Sequence, residues 1–106
     1  MVAGTPASAA ISNHRVQLCA QGNYDARIHW STGYYSTLVH PGECQTFDID
    51  GTGGFVIGGV YNVSRQNFDI QGVASPRGGW TADSPGMKFG AEGTSTAPYV
   101  VQWANN

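Results

Sequence analysis

Charge is what this sequence has least of. Only 11% of its 106 residues are Asp, Glu, Lys or Arg, under half of the quarter usual in soluble domains. The basic side chains Arg15, Arg27, Arg65, Arg77 and Lys88 are scattered along the chain, and the net charge is −2. No basic patch exists to neutralise a row of phosphates, which argues against nucleic acid and anionic membranes as partners. Long apolar runs are missing as well, and no stretch approaches the roughly 18 residues of a membrane-spanning helix. Cysteine is confined to Cys19 and Cys44, without C-x-x-C spacing, and His14, His29 and His40 form no ligand pair. That leaves no zinc motif. Helical periodicity and internal repeats are absent, and no cofactor motif stands out.

What is present is glycine and a moderate apolar content. Gly makes up 15 of the 106 residues and apolar side chains 41%, which fits one turn-rich β domain with a modest core. An even pair of cysteines in a small, Gly-rich, Lys-poor chain points to a Cys19–Cys44 disulfide and an oxidising compartment, with two buried free thiols as the alternative. The first ten residues, MVAGTPASAA, are small and polar. Ala7-Ser8-Ala9 and Ser8-Ala9-Ala10 resemble the small-x-small end of a signal peptide whose apolar segment has been removed. Residues 1–13 are therefore expected as a flexible tail, and 14–106 as the domain.

The chain from Cys19 to Cys44 organises the rest. Residues 14–20 alternate Val16, Leu18 and Ala20 against Arg15, Gln17 and Cys19, the period-2 signature of a half-buried strand. Residues 25–31 alternate Ala26, Ile28 and Trp30 against Arg27, His29 and Ser31. A turn at Ser31-Thr32-Gly33 predicts a return strand over 34–39, and Pro41-Gly42 predicts a type II turn into a strand over 43–49. Both cysteines fall on the more polar faces of their strands, so the bridge is expected outside the main core. Further strands are expected over 55–61, 67–73 and 98–104, with Gly58 and Gly59 marking a bulge or a close backbone approach. Seven strands with turns every eight to twelve residues predict an all-β fold. The expected architecture is an antiparallel sandwich of Ig-like or Greek-key type, or a small barrel, with one disulfide.

Residues 74–97, ASPRGGWTADSPGMKFGAEGTSTA, break this rhythm. So long an irregular segment is either a connection crossing between sheets or a presented binding loop. A short strand around 87–89 is the one element it could hold. As a binding loop, its contact candidates are Arg77, Trp80, Met87, Lys88 and Phe89.

Other constellations are weaker. Asp48-x-Asp50-Gly51 opens like an oxygen-ligand calcium loop, but the position of the closing acid is Gly59. Asp48 and Asp50 are the metal candidates for that reason alone, and an Asp-Gly turn is the plainer reading. Asn62-Val63-Ser64 matches an N-glycosylation sequon. His29 and His40 are the available bases, yet neither lies in a nucleophile motif, and the acidic residues form no spaced pair. The expectation is that the protein is not an enzyme and needs no cofactor.

Residues 38–47, LVHPGECQTF, resemble the strand-turn-strand of secreted bacterial immunoglobulin-like sandwiches. They are also similar to the hairpin region of small secreted actinobacterial α-amylase inhibitors of the tendamistat type. The Trp-Arg-Tyr triplet of those inhibitors is absent here, and two cysteines stand in place of four. The resemblance covers a tenth of the chain and implies a secreted β-sandwich.

Aromatic residues without charged neighbours suit sugar rings, because the ring face is apolar and nearby amides and hydroxyls supply hydrogen bonds. Tyr24, Tyr35 and Trp80 are the rings expected at the surface, with Tyr34 beside them, while Trp30 and Trp103 are expected in or near the core. The leading reading is a secreted binding domain for polysaccharide or cell-surface glycan. The alternative is an inhibitor of a secreted protease or amylase, or a protein-binding effector, that presents residues 74–97. A third reading is a small secreted enzyme or toxin that uses His29 or His40. Oligomeric state is left open.

Overall fold

The computed structural model describes residues 10–106, and within them the chain is all-β, with seven strands in two sheets and no helix. No helix of the described residues is long and apolar enough to cross a membrane. The strands are β1 (Arg15–Ala20), β2 (Asp25–Trp30), β3 (Cys44–Asp48), β4 (Phe55–Val60), β5 (Asn67–Val73), β6 (Met87–Thr94) and β7 (Ala97–Trp103). One sheet has the order β3-β1-β6-β7, the other β2-β4-β5. Four of the five pairings are antiparallel, whereas β1 and β6 run parallel, Leu18 opposite Phe89. The two sheets face each other across Val16, Leu18 and Ala20 of β1, Ala26, Ile28 and Trp30 of β2, Phe55 and Ile57 of β4, and Phe89 and Ala91 of β6. The inward sets of β1 and β2 are those that alternation selects.

Cys19 and Cys44 are direct cross-strand partners, with Cα atoms 4.0 Å apart and the disulfide formed. Leu18 and Ala20, on either side of Cys19, point into the core, so the bridge lies on the outer face of its sheet. Gly42 has φ +90°, as the type II turn requires, and the Glu43 N–H donates to the His40 carbonyl at 2.9 Å. At the N-terminal side, the Ile11 N–H donates to Asn105 Oδ1 at 2.8 Å and Asn105 Nδ2 returns a bond to the Ile11 carbonyl. Ile11 is thus already tied to the domain within the expected tail, and residues 1–9 lie outside the described residues.

Two departures from the expected strands bear on function. Residues 34–39 make only two isolated bridges to β2, His29 with Tyr35 and Ala26 with Val39. Four steps separate Tyr35 from Val39 where three separate Ala26 from His29, and this extra residue breaks the ladder. The Ile28 N–H is taken by the Ser36 hydroxyl at 2.9 Å instead of a carbonyl. The same extra residue sends Val39 into the core while Tyr35 stays on the outer face with His29.

Secondly, residues 87–94 form β6, a central strand, so the irregular connection between sheets shrinks to residues 74–86. The bulge expected near Gly58 is present: the register of β4 and β5 shifts between Ile57 and Gly58, and the Phe68 carbonyl occupies the space a Gly58 side chain would need.

Candidate binding surface

Burial removes most of the sequence-based contact candidates from the surface. Tyr24 is fully buried at one end of the sandwich, where its O–H donates to the Glu92 carbonyl at 2.7 Å and its ring meets Phe68 edge-on. Burial pushes its phenol pKa far up, and the Glu92 and Tyr99 charges add to the shift. Trp80 is only 8% exposed. Its indole N–H donates to the Gly53 carbonyl at 2.7 Å and its ring packs 5.9 Å from that of Phe55, so it anchors the 74–86 connection instead of being presented by it.

Phe89 lies in the core and Lys88 is buried on the outer face of β6, both 1% exposed. Met87 is half-buried against the core. Of the five candidates from residues 74–97, Arg77 alone is exposed. The metal candidates also part: Asp48 pairs with Arg15 Nε at 3.2 Å, and Asp50 Oδ2 accepts from the Thr32 hydroxyl at 2.6 Å. Among the described residues no group of three His, Cys, Asp or Glu converges as a metal site.

Tyr34 and Tyr35 remain at the surface, 73% and 44% exposed. They follow a tight turn in which the Gly33 N–H donates to the Trp30 carbonyl at 2.9 Å, and Gly33 has φ +99°, a conformation that favours glycine. The turn folds Tyr35 onto the outer face of the β2-β4-β5 sheet. There its ring stacks on His29 with centroids 4.2 Å apart and planes within 10°. The Arg27 guanidinium sits 4.3 Å from the same ring centroid, and Arg27 is held in turn by Asn67 Oδ1. Arg27, Tyr35 and His29 thus form a braced stack of planar groups.

His29 also lines an open groove of about 520 Å³ at the Trp30 end of the sheet, together with Ser31, Gly54, Val56 and Gly72 and with the core-facing Trp30 and Phe55. A Cβ built on Gly72 would meet nothing within 4 Å. Its lining is mostly apolar, with the His29 and Ser31 residues as its polar members, which suits a neutral, ring-shaped ligand. Sequence reasoning did not single out Arg27 or Gly72 for this surface and took His29 only as an available base. The signal for Arg27 and His29 was their shared place on the polar face of β2.

A second group of titratable side chains lies at the other end of the same sheet. The Asp25 carboxylate accepts from Arg65 at 2.8 Å and meets His40 Nδ1 at 2.9 Å, tying the 61–66 loop and the 40–43 turn to the start of β2. Burial pushes the Asp25 carboxyl up, but the hydrogen bonds from Arg65 and His40 outweigh it and hold the pKa below its ordinary value. The hydrogen bond to Asp25, with its charge, raises the His40 pKa. Arg65 has φ +60°, left-handed for a residue with a Cβ, and its N–H donates to the Tyr61 carbonyl at 3.0 Å. The Asp25–His40 pair orients the His40 imidazole through its Nδ1.

A further cavity of about 550 Å³ lies beside the disulfide, between Pro41 and Gly93, and has no aromatic lining.

No family model matches this chain, and no curated protein matches it. Among solved structures, the cytotoxin suilysin from Streptococcus suis matches with a TM-score of 0.55 and 13% identity, over 86% of this chain and 23% of that one. A disulfide-locked intermedilysin with human CD59 matches at 0.54 and 14%, over 84% and 23%. Pneumolysin matches at 0.52 and 12%, over 89% and 24%. At these identities the likeness is one of fold. The chain spans about a quarter of the length of each of these proteins.

Proposed function

We infer that this chain is a secreted, non-catalytic recognition domain that binds polysaccharide or cell-surface glycan on the outer face of the β2-β4-β5 sheet. The observation that carries the reading is the stacked Arg27, Tyr35 and His29 set beside the groove lined by Val56 and Gly72. Planar groups already braced by one another lose little conformational entropy when a sugar ring settles beside them. Neutral hydrogen bonding dominates such a contact, so salt dependence is small. Secretion is supported by the disulfide, which persists in oxidising compartments.

Retention on insoluble chitin, cellulose, xylan and peptidoglycan tests the reading. One polymer is expected to retain the protein. Tyr35→Ala should weaken that retention at least tenfold, and so should Gly72→Leu, which fills the groove from a lining position with open space beside it. Retention by none of the four, or retention untouched by both substitutions, would overturn it.

The fold likeness favours a second reading, in which the chain is the recognition part of a toxin-type protein. Under that reading the protein binds intact cells but none of the isolated polymers, and removing protein from the cell surface abolishes binding.

A further inference from the structure

Two sheets of three and four strands have four edges, and three of them are blunted. The β2 edge is bridged by Tyr35 and Val39. The β3 edge is short and engaged by the same segment, since Gln45 donates to the Leu38 carbonyl and accepts from the Thr37 hydroxyl. The β5 edge carries Asp69 and follows a register shift. Charges, brevity, bulges and covering segments are the means by which sheets avoid joining other chains.

Among the described residues the β7 edge has almost none of these. Its seven residues pair with β6 in one unbroken register from Thr94–Ala97 to Lys88–Trp103. No side chain from Gly93 to Asn106 is charged. Among the described residues, Pro98 near the strand's start and the Ile11–Asn105 pair beyond its end limit the edge.

Which backbone groups face outward follows from the bonding of β6. The Ala91 carbonyl accepts from the Gln21 and Gly22 N–H groups on the β1 side. Its neighbours Gly90 and Glu92 therefore turn their groups to β7, where they oppose Val101 and Tyr99. By the same alternation Val100 and Gln102 direct their N–H and C=O groups away from the sheet. Among the described residues none of these four groups has a partner.

We propose that the β7 edge is a self-association site, at which a second copy of this chain pairs antiparallel about a two-fold axis through Val101. In that register Val100 and Gln102 of each copy exchange four N–H···O=C bonds with Gln102 and Val100 of the other. Val101 meets its own equivalent, and Tyr99 lies opposite Trp103 of the second copy on the outer face, an aromatic cross-strand pair. A strand without charge is self-complementary under this operation, because no like charges are brought together. The two four-stranded sheets become one of eight strands. This site is independent of the groove and of any glycan.

Sedimentation equilibrium of the full chain tests the proposal. The mass should rise with concentration from 11.2 kDa toward twice that value. Val101→Lys and Val101→Glu, each placing like charges opposite one another, should each weaken association at least tenfold, and an equimolar mixture of the two should restore it. In the unsubstituted protein the Val100 and Gln102 amides should gain hydrogen-exchange protection as concentration rises, a readout that needs no variant to fold. A mass that stays at 11.2 kDa up to about 1 mM would overturn the proposal. So would association without protection of those two amides, or unchanged association of the Val101→Lys variant.

Discussion

Replacing Trp80 separates a packing role from a ligand role. The indole fills the space beside Phe55 and the Gly53 carbonyl, and the backbone N–H of Trp80 donates to the Thr52 carbonyl at 3.1 Å. Truncating a buried aromatic to Ala costs about 3–5 kcal/mol, from lost transfer energy and the cavity left behind. Trp80 belongs to an irregular connection that can settle partly into the void, so Trp80→Ala should fall near the lower end, about 3 kcal/mol. In a domain of this size that is a fall in Tm of roughly 10–20 °C. Trp80→Phe keeps most of the ring and removes the N–H, leaving the Gly53 carbonyl without its donor, at a cost of about 1–2 kcal/mol.

Urea unfolding followed by far-UV circular dichroism measures both variants without relying on the fluorophore being removed. Polysaccharide retention measured where both remain folded should match the unsubstituted protein. A loss below about 1 kcal/mol for Trp80→Ala, joined to lost retention, would refute this reasoning and return Trp80 to the binding surface.

Reduction of the Cys19–Cys44 bridge, which spans 25 residues, should lower unfolding free energy by about 3–4 kcal/mol on the loop-closure estimate; a Cys19→Ser/Cys44→Ser double variant as stable as the oxidised protein in urea would contradict it. Gly58→Ala should destabilise by about 1–3 kcal/mol because its Cβ meets the Phe68 carbonyl. Gly72→Ala, with open space above it, should stay within about 0.5 kcal/mol in the same unfolding assay.

Asp25→Asn should reveal a pH window. The carboxyl pKa is held below its ordinary 3.8, so its stabilisation is whole above that value and lost as pH falls through the depressed one. The His40 pKa is held above its ordinary 6.5, so its contribution is whole below that value and fades as pH rises through the raised one. The Tm difference between the unsubstituted protein and Asp25→Asn should therefore be widest between pH 3.8 and 6.5. A difference independent of pH would show that the ion pairs contribute nothing.

Strand alternation made β1, β2, β4 and β5 legible, along with the outward placement of both cysteines. What stayed hidden has local physical causes. β6 reads as MKFGAEGT, with two glycines and two charged residues, a composition that signals a loop. It nevertheless forms the middle of a sheet in which Lys88 and Glu92 are both buried. Periodicity cannot anticipate a central strand whose second face is polar yet covered. The extra residue between Tyr35 and Val39 could not be read either, because a bulge is set by which residues pair and not by the pattern of one strand. Tyr24 is in phase with Ala26, Ile28 and Trp30, so carrying their alternation one step back turns it inward, whereas Trp80 stands apart from any alternating run and nothing in its neighbours assigned it a face. Arg27 and His29 were visible as a polar pair two residues apart, but Tyr35 joins them only through a turn.

The parallel pairing of β1 with β6 also dictates the order in which the molecule can be assembled. In the β2-β4-β5 sheet only β4 and β5 are consecutive, since β2 reaches β4 across residues 31–54 with β3 among them, yet all three strands precede β6 in the chain. Until β6 exists, β1 has β3 alone beside it, and Val16 and Leu18 have no Met87 and Phe89 next to them. The β1–β6 pairing is a contact between distant parts of the sequence, and contacts of this kind slow folding. A growing chain lacks this pairing until residues 87–94 arrive, and the delay leaves one edge of β1 available to wrong partners meanwhile.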